Sequence, residues 1–148
     1  MPSADPHDLA RFVAAQQGTY DRALAEIRDG RKVSHWMWFI FPQVAGLGRS
    51  ETSRHFAIRT RAQARAYLTH PLLGQRLTDC AQAAAAVPER TAMQVFGSPD
   101  DLKLHSSATL FASLSPAGSV FQLVLERYFG SQPDLMTLRL LDAMPADE

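Results

Sequence analysis

The stretch Ser34-His35-Trp36-Met37-Trp38-Phe39-Ile40-Phe41-Pro42-Gln43 contains both tryptophans of the chain and two of its eight phenylalanines. Residues this large and apolar contribute most of their energy by being buried against the rest of a fold. We therefore predict a short, buried helix that begins after Ser34 and ends before Pro42. A strand is the alternative, because Trp, Phe and Ile favour strands. The helix is preferred because the sequence offers no partner strand.

Helical patterns flank this segment on both sides. Apolar residues recur at helical spacing along most of the chain, and Thr60 and Asp134 stand where helices are expected to begin. A length of 148 residues fits one domain. We predict an all-α, compact single domain of about eight short helices around the buried aromatic helix. This domain covers residues 8–144, between a loose N-terminus at 1–7 and a tail at 145–148.

The composition excludes several classes of protein. The chain is 46% hydrophobic and has no net formal charge, whereas nucleic-acid binders usually carry a basic face. The longest apolar run ends at Pro42 and is shorter than the ~18 residues that cross a bilayer. The N-terminal residues lack the pattern of a signal peptide, and the single Cys80 fits a reducing cytosol. We expect a cytoplasmic protein with neither a nucleic acid nor a membrane as partner; the oligomeric state is not defined by the sequence.

Metal and cofactor sites are not predicted. The histidines, at positions 7, 35, 55, 70 and 105, include no pair four residues apart, and the only cysteine is isolated. Structural metal sites need several such ligands at short spacing.

The first candidate site follows the aromatic helix. In the segment Gln43–Ser50, two glycines allow backbone N–H groups to point towards a ligand, and Ser50 is expected to begin the next helix. A tight turn after a buried helix is the plainer interpretation. The aromatic helix itself offers a flat wall for a planar ring. The candidate ligand-binding residues of this region are Trp36, Gln43, Gly46, Gly48 and Ser50.

The second candidate site lies on the helix that begins near Pro99. Lys103, Ser106 and Ser107 are spaced so that they share one face of this helix. Lys103 and Ser106 are candidate ligand-binding residues, with the ammonium group facing a phosphate or carboxylate. In the plainer interpretation the hydroxyls bond back to helix carbonyls and Lys103 pairs with Asp100.

Two residues are candidates for catalysis. His35 titrates near neutral pH and is the candidate general acid or base, and Ser107 is the candidate nucleophile. A histidine that merely donates to a backbone carbonyl is the alternative for His35.

Long strings of the sequence resemble a known family. The quoted residues are Gly30-Arg-Lys-Val-Ser34-His35-Trp36-Met37-Trp38-Phe39-Ile40-Phe41-Pro42-Gln43, Gly46-Leu47-Gly48-x-Ser50, Tyr67-Leu68-x-His70-Pro71-x-Leu73-Gly74, and Phe96-Gly97-x-Pro99-Asp100-Asp101-x-Lys103-Leu104-x-Ser106-Ser107. They resemble the mostly bacterial family called domain of unknown function 1810, whose members are sometimes labelled calpastatin. The resemblance extends roughly from Asp8 to Leu141 and implies a compact, mainly helical domain without an established activity. Calpastatin inhibitory segments are disordered, whereas this composition is that of a packed domain.

Three functions follow from these observations. The leading prediction is a cytosolic helical domain that binds a small anionic or nucleotide-like ligand where the aromatic helix and the segment Gly46–Ser50 meet Lys103. The first alternative is a hydrolase or transferase that uses His35 with Lys103 and Ser107. The second alternative is a protein-interaction domain without a small-molecule ligand.

Overall fold

The computed structural model describes residues 5–144, and these residues form ten helices. The helices are α1 (Ala10–Gln16), α2 (Tyr20–Arg28), α3 (Met37–Ile40), α4 (Glu51–His55), α5 (Arg61–Thr69), α6 (Leu73–Ala86), α7 (Ala92–Phe96), α8 (Asp100–Ser113), α9 (Val120–Phe129) and α10 (Leu135–Asp142). The described residues contain no strand, only one isolated parallel bridge between Val44 and Ile58. The predicted all-α class is therefore confirmed, with ten helices rather than about eight.

The aromatic segment lies in the core, as predicted. Trp36 and Phe41 are buried, and both rings meet Phe96 edge-on, at centroid distances of 6.5 Å and 6.1 Å. The helix within the segment, α3, is only four residues long, so its side chains point in several directions. Trp38 consequently remains half-buried while its neighbours Met37 and Phe39 are covered.

A single carboxylate fixes the entry to this segment. Oε1 of Glu26, on α2, accepts hydrogen bonds from the backbone N–H groups of Val33 and Ser34 and from the indole Nε1 of Trp36, at 2.8 to 2.9 Å. Oε2 accepts a fourth bond from the Ser34 hydroxyl, at 2.7 Å. Partial burial alone would raise the pKa of Glu26, but these four bonds outweigh it and lower the pKa to about 2.

The long helices enclose the aromatic segment. Helices α2, α5 and α9 pack against α6, and α8 packs against α3, α5, α7, α9 and α10. Because α8 is central, its buried residues Leu104, Leu110 and Phe111 belong to the same core as Trp36. The same helix contacts both α3 and α10.

The ends of the predicted domain are only partly described. Residues 1–4 of the predicted loose N-terminus and residues 145–148, the predicted tail, lie outside the described residues. Within residues 5–7, the Asp5 carboxylate accepts from the N–H groups of Leu9 and Ala10, each at 2.7 Å, and so holds the start of α1. Between residues 5 and 144, none of the helices has the length and apolar character needed to cross a membrane.

Candidate functional site

Two cavities lie side by side where α3, α4, α8 and α10 approach one another. Gln43, Gly48 and Ser53 line both cavities and therefore form the wall between them. This wall comes from the segment after the aromatic helix and from α4, so it exists only when the two are packed together.

Close packing of the chain brings the wall together. A Cβ atom on Gly48 would lie 2.4 Å from both Cβ and Oγ of Ser53, so only glycine permits this approach. Upstream, the Gln43 carbonyl accepts from the Ile58 N–H, and the Ala45 N–H donates to the Ile58 carbonyl, each at 2.8 Å. These two bonds hold the backbone of Gln43 in place while its side chain faces both cavities.

The first cavity, which we call the tryptophan cavity, has a volume of about 180 Å³. Besides the shared wall, its chemically important lining residues are Trp38, Gly46, Arg54 and Arg59. Arg59 donates one hydrogen bond to the Arg54 carbonyl, at 3.1 Å. The side chain of Arg54 is exposed and makes no hydrogen bond or ion pair with the rest of residues 5–144. This cavity thus has two guanidinium groups and no carboxylate in its lining.

The second cavity, which we call the lysine cavity, has a volume of about 410 Å³. Lys103, Ser106, His105 and Asp134 supply its remaining polar groups, and Leu47, Pro99, Leu102 and Met136 supply an apolar side.

The ammonium group of Lys103 lies at the boundary between the cavities. Its Nζ is 4.6 Å from the centroid of the Trp38 ring and 3.1 Å from Oδ1 of Asp100. Oδ2 of the same Asp100 is 2.7 Å from Nζ of Lys32, whose side chain is only 6% exposed. One carboxylate therefore serves two ammonium groups, which leaves one positive charge in excess beside the lysine cavity.

The hydroxyl proton of Ser106 is already used in a hydrogen bond within the protein. Its Oγ lies 2.8 Å from Oγ1 of Thr137, and Thr137 in turn donates to Oδ2 of Asp134, at 2.5 Å. Because the hydroxyl proton of Thr137 goes to Asp134, Ser106 must be the donor to Thr137. Ser106 can therefore accept a hydrogen bond from a ligand but has no second proton for an anion.

The structure brings some of the sequence-predicted residues together and leaves others apart. Gln43, Gly48, Lys103 and Ser106 line the lysine cavity, and Gly46 lines only the tryptophan cavity. Sequence reasoning missed the other lining residues, among them a group from α4 and the residues after it: Ser53, Arg54, Phe56, Ala57 and Arg59. The best available signal was a concentration of arginines after Gly48, which includes Arg54 and Arg59.

The remaining candidates line neither cavity. Trp36 is buried and held by Glu26, so it offers no face to a ligand. Ser50 is exposed, and its hydroxyl accepts from the Ser53 N–H at 3.1 Å, which is an ordinary helix cap. Helix α4, which Ser50 caps, has only five residues.

The two candidate catalytic residues also stand outside the cavities. His35 is exposed on the surface. Ser107 is buried, and its Oγ has no hydrogen-bond partner among residues 5–144. The described residues likewise include no cluster of three or more His, Cys, Asp or Glu side chains arranged to hold a metal ion.

The orphan polar atom nearest to the site is the indole Nε1 of Trp38. It is inaccessible to solvent and has no hydrogen-bond partner among residues 5–144. A buried donor left unpaired costs about 1–3 kcal/mol, so this tryptophan is placed at some cost to stability. Trp36, by contrast, donates to Glu26.

The charges of the two linings are unbalanced. Arg54, Arg59 and Lys103 face the cavities, against the single carboxylate of Asp134. His105 also lines the lysine cavity, and its ring stacks on that of Phe129 with the two ring centroids 4.1 Å apart. Since the whole chain has no net formal charge, the positive charge is a local property of this site. Such a site attracts anions and can hold them by charge-assisted hydrogen bonds.

Comparisons with known proteins agree with this fold. Residues 6–141 match the family described as "Protein of unknown function (DUF1810)". The crystal structure at 1.38 Å of the conserved hypothetical protein Rv1873 from Mycobacterium tuberculosis is 46% identical and superposes with a TM-score of 0.92, covering 95% of this chain and 100% of that chain. No curated protein matches the sequence. The resemblance stated from the sequence is therefore confirmed, and the chain belongs to the DUF1810 family.

Proposed function

We propose that the protein binds a small anionic ligand, nucleotide-like in character, at the adjacent tryptophan and lysine cavities. One observation carries this proposal: the combined lining of the two cavities contains three cationic side chains and one carboxylate. The whole chain, by contrast, has no net formal charge. An excess of one charge sign in a cleft raises the local concentration of ions of the opposite sign.

Each lining side chain would contact the ligand through a different kind of interaction. Arg54 has all its donors available, and a guanidinium group grips a phosphate or carboxylate through two parallel hydrogen bonds. Lys103 supplies a compact positive charge, and the amide of Gln43 and the hydroxyl of Ser53 supply neutral donors between the two cations. The apolar side of the lysine cavity, which includes Leu102, offers contact area for a ring.

The same proposal places the protein in the bacterial cytoplasm. It is supported by the single, buried and unpaired Cys80 and by the similarity to a mycobacterial protein. A reducing compartment keeps such thiols free.

The proposal is tested by thermal shift with a panel of phosphate-bearing metabolites. An anion that occupies the cavities raises the melting temperature of the wild type, because a ligand that binds only the folded state stabilises it. Lys103→Met removes the charge but keeps the apolar stem, and Asp100 retains Lys32 as its partner. We expect this variant to fold normally and to lose the ligand-induced shift.

Arg22→Met is the matched control. Arg22 is exposed on α2 and lines neither cavity, so this variant should keep the full shift. The proposal fails if no anion in the panel stabilises the wild type, or if Lys103→Met responds as strongly as the control.

One observation favours the protein-interaction alternative. Leu102 and Met136, on the rim of the lysine cavity, are 61% and 49% exposed. Exposed apolar side chains beside a cavity are typical of a contact surface as well as of a ligand site. A wild type that no anion stabilises would make this alternative the better proposal. The hydrolase or transferase alternative has no such support, since His35 and Ser107 line neither cavity.

A further inference from the structure

The positive charge of this protein is concentrated in one segment. Residues 49–65 contain five arginines and one acid, Glu51, which leaves ten basic and fourteen acidic residues in the rest of the chain. Four of these arginines, Arg49, Arg54, Arg59 and Arg65, are exposed. The neutral total of the chain thus conceals a strongly basic segment directly beside the tryptophan cavity.

Part of this charge has a structural explanation. Arg61 pairs with Asp142 at 3.8 Å and donates to the Leu141 carbonyl at 2.7 Å, so it attaches α5 to the end of α10. Arg59 satisfies a carbonyl at the end of α4. The side chain of Arg54 has neither role: it lines the tryptophan cavity and makes no hydrogen bond or ion pair with the rest of residues 5–144. Its charge is therefore not used by the fold and faces the tryptophan cavity.

The second cation whose charge the fold does not fully neutralise lies in the lysine cavity. The chain has only two lysines, Lys32 and Lys103, and both contact the carboxylate of Asp100. Lys32 is almost fully buried and also donates to the Ser34 carbonyl at 2.6 Å. The excess positive charge of this trio is therefore available only through Lys103, which lines the lysine cavity.

A wall of neutral polar groups separates these two charges. Gln43 and Ser53 line both cavities, so they lie between Arg54 on one side and Lys103 on the other. An anion with its charge at one point can contact one cation or the other. A molecule with two anionic groups can contact both cations and accept hydrogen bonds from the wall in between.

We infer that the ligand carries two separate anionic groups, as a diphosphate does, with one group on Arg54 in the tryptophan cavity and the other on Lys103 in the lysine cavity. The inference rests on the proposed function, because it specifies the ligand of the same site. It also assigns the arginine-rich segment a role, since exposed cations near the opening speed the capture of a multiply charged anion.

The test compares pyrophosphate with sulfate by titration calorimetry at constant ionic strength. Both are multiply charged, but sulfate carries its charge at one point. We expect pyrophosphate to bind the wild type at least about tenfold more tightly, because a second charge-assisted contact is worth roughly that factor or more. Each of Arg54→Met and Lys103→Met should weaken pyrophosphate by about tenfold, whereas sulfate should respond to only one of them.

Arg49→Met is the control, because Arg49 is exposed and lines neither cavity; it should leave the equilibrium affinities for both anions within about twofold. Lys103→Gln repeats the lysine test if the methionine variant is unstable. The inference is overturned if sulfate and pyrophosphate bind the wild type equally well, or if pyrophosphate responds to only one of the two substitutions. With either of these two results the protein would still bind anions, so the proposed function would stand. Absence of binding by any anion overturns the proposed function together with the inference.

Discussion

Replacing Glu26 by glutamine should remove a pH-dependent part of the stability. The amide can keep the geometry, because its oxygen can accept the three bonds that Oε1 accepts and its NH₂ can donate to the Ser34 hydroxyl. What it cannot keep is the negative charge. The variant therefore isolates the contribution of ionisation from that of shape.

The magnitude follows from the pKa of the carboxyl. A fall from 4.5 to about 2 on folding corresponds to about 3 kcal/mol at roughly 1.4 kcal/mol per pH unit. Because Glu26 is only half-buried, solvent screening reduces this to about 2 kcal/mol. Since the folded pKa lies below the unfolded one, this stability is present above pH 4.5 and is lost as the pH falls to about 2.

Urea unfolding followed by circular dichroism measures the effect at several values between pH 7 and pH 2. We expect Glu26→Gln to lower the free energy of unfolding by about 2 kcal/mol at pH 7, and the curves of variant and wild type to converge near pH 2. Glu126→Gln is the control, because Glu126 is exposed on α9 without a hydrogen bond or ion pair among the described residues. Parallel curves for Glu26→Gln and wild type, at any separation, would refute the reasoning.

Three further predictions concern stability and reactivity. Tyr67→Phe removes a buried hydroxyl that accepts one hydrogen bond and donates another; it should cost about 1 kcal/mol in urea unfolding, whereas Tyr20→Phe should cost less. Burial raises the pKa of the Cys80 thiol to about 12, so Ellman's reagent at pH 8 should label it only after denaturant is added; rapid labelling of the native protein would contradict its buried position. Pyridoxal 5′-phosphate with borohydride should label Lys103 and spare the buried Lys32, as peptide mass spectrometry would show, and labelling of both at equal rates would argue against an anion site at Lys103.

The helices and their starts were readable from the sequence because the interactions that make them are local. Thr60 and Asp134 accept from the backbone N–H three residues later, at 2.9 Å and 3.1 Å, and this spacing is visible in the sequence alone. The burial of the aromatic segment was predictable for the same kind of reason: its composition leaves it no stable place in water.

The roles of the two tryptophans could not be assigned in the same way. In a helix of four residues the apolar pattern is too short to define a face. The choice is made instead by Glu26, ten residues away, which draws the indole of Trp36 inward. Trp38 is then left beside Lys103 and the cavity. From the sequence, Trp36 is therefore the candidate for the site, whereas in the structure Trp38 lines the cavity.

The arginines of the site were missed because their position depends on a tertiary contact. Gly48 was selected for the conformational freedom of its backbone, but in the structure its importance is the absent Cβ, which allows the loop to touch Ser53. That contact places α4, with Arg54, beside the segment that follows the aromatic helix. Nothing in local spacing indicates it.

The lysine cavity takes its walls from parts of the chain that are far apart: Gln43 to Ser53, Pro99 to Ser106, and Asp134 with Met136. During synthesis on the ribosome the last of these emerges well after the aromatic core has been translated. A nascent chain that already holds Trp36 in place therefore still has an open, unfinished site. The lysine cavity is complete only when α10 docks on α8, so under the proposed function a ligand that needs both cavities would bind completed molecules and not partly synthesised ones.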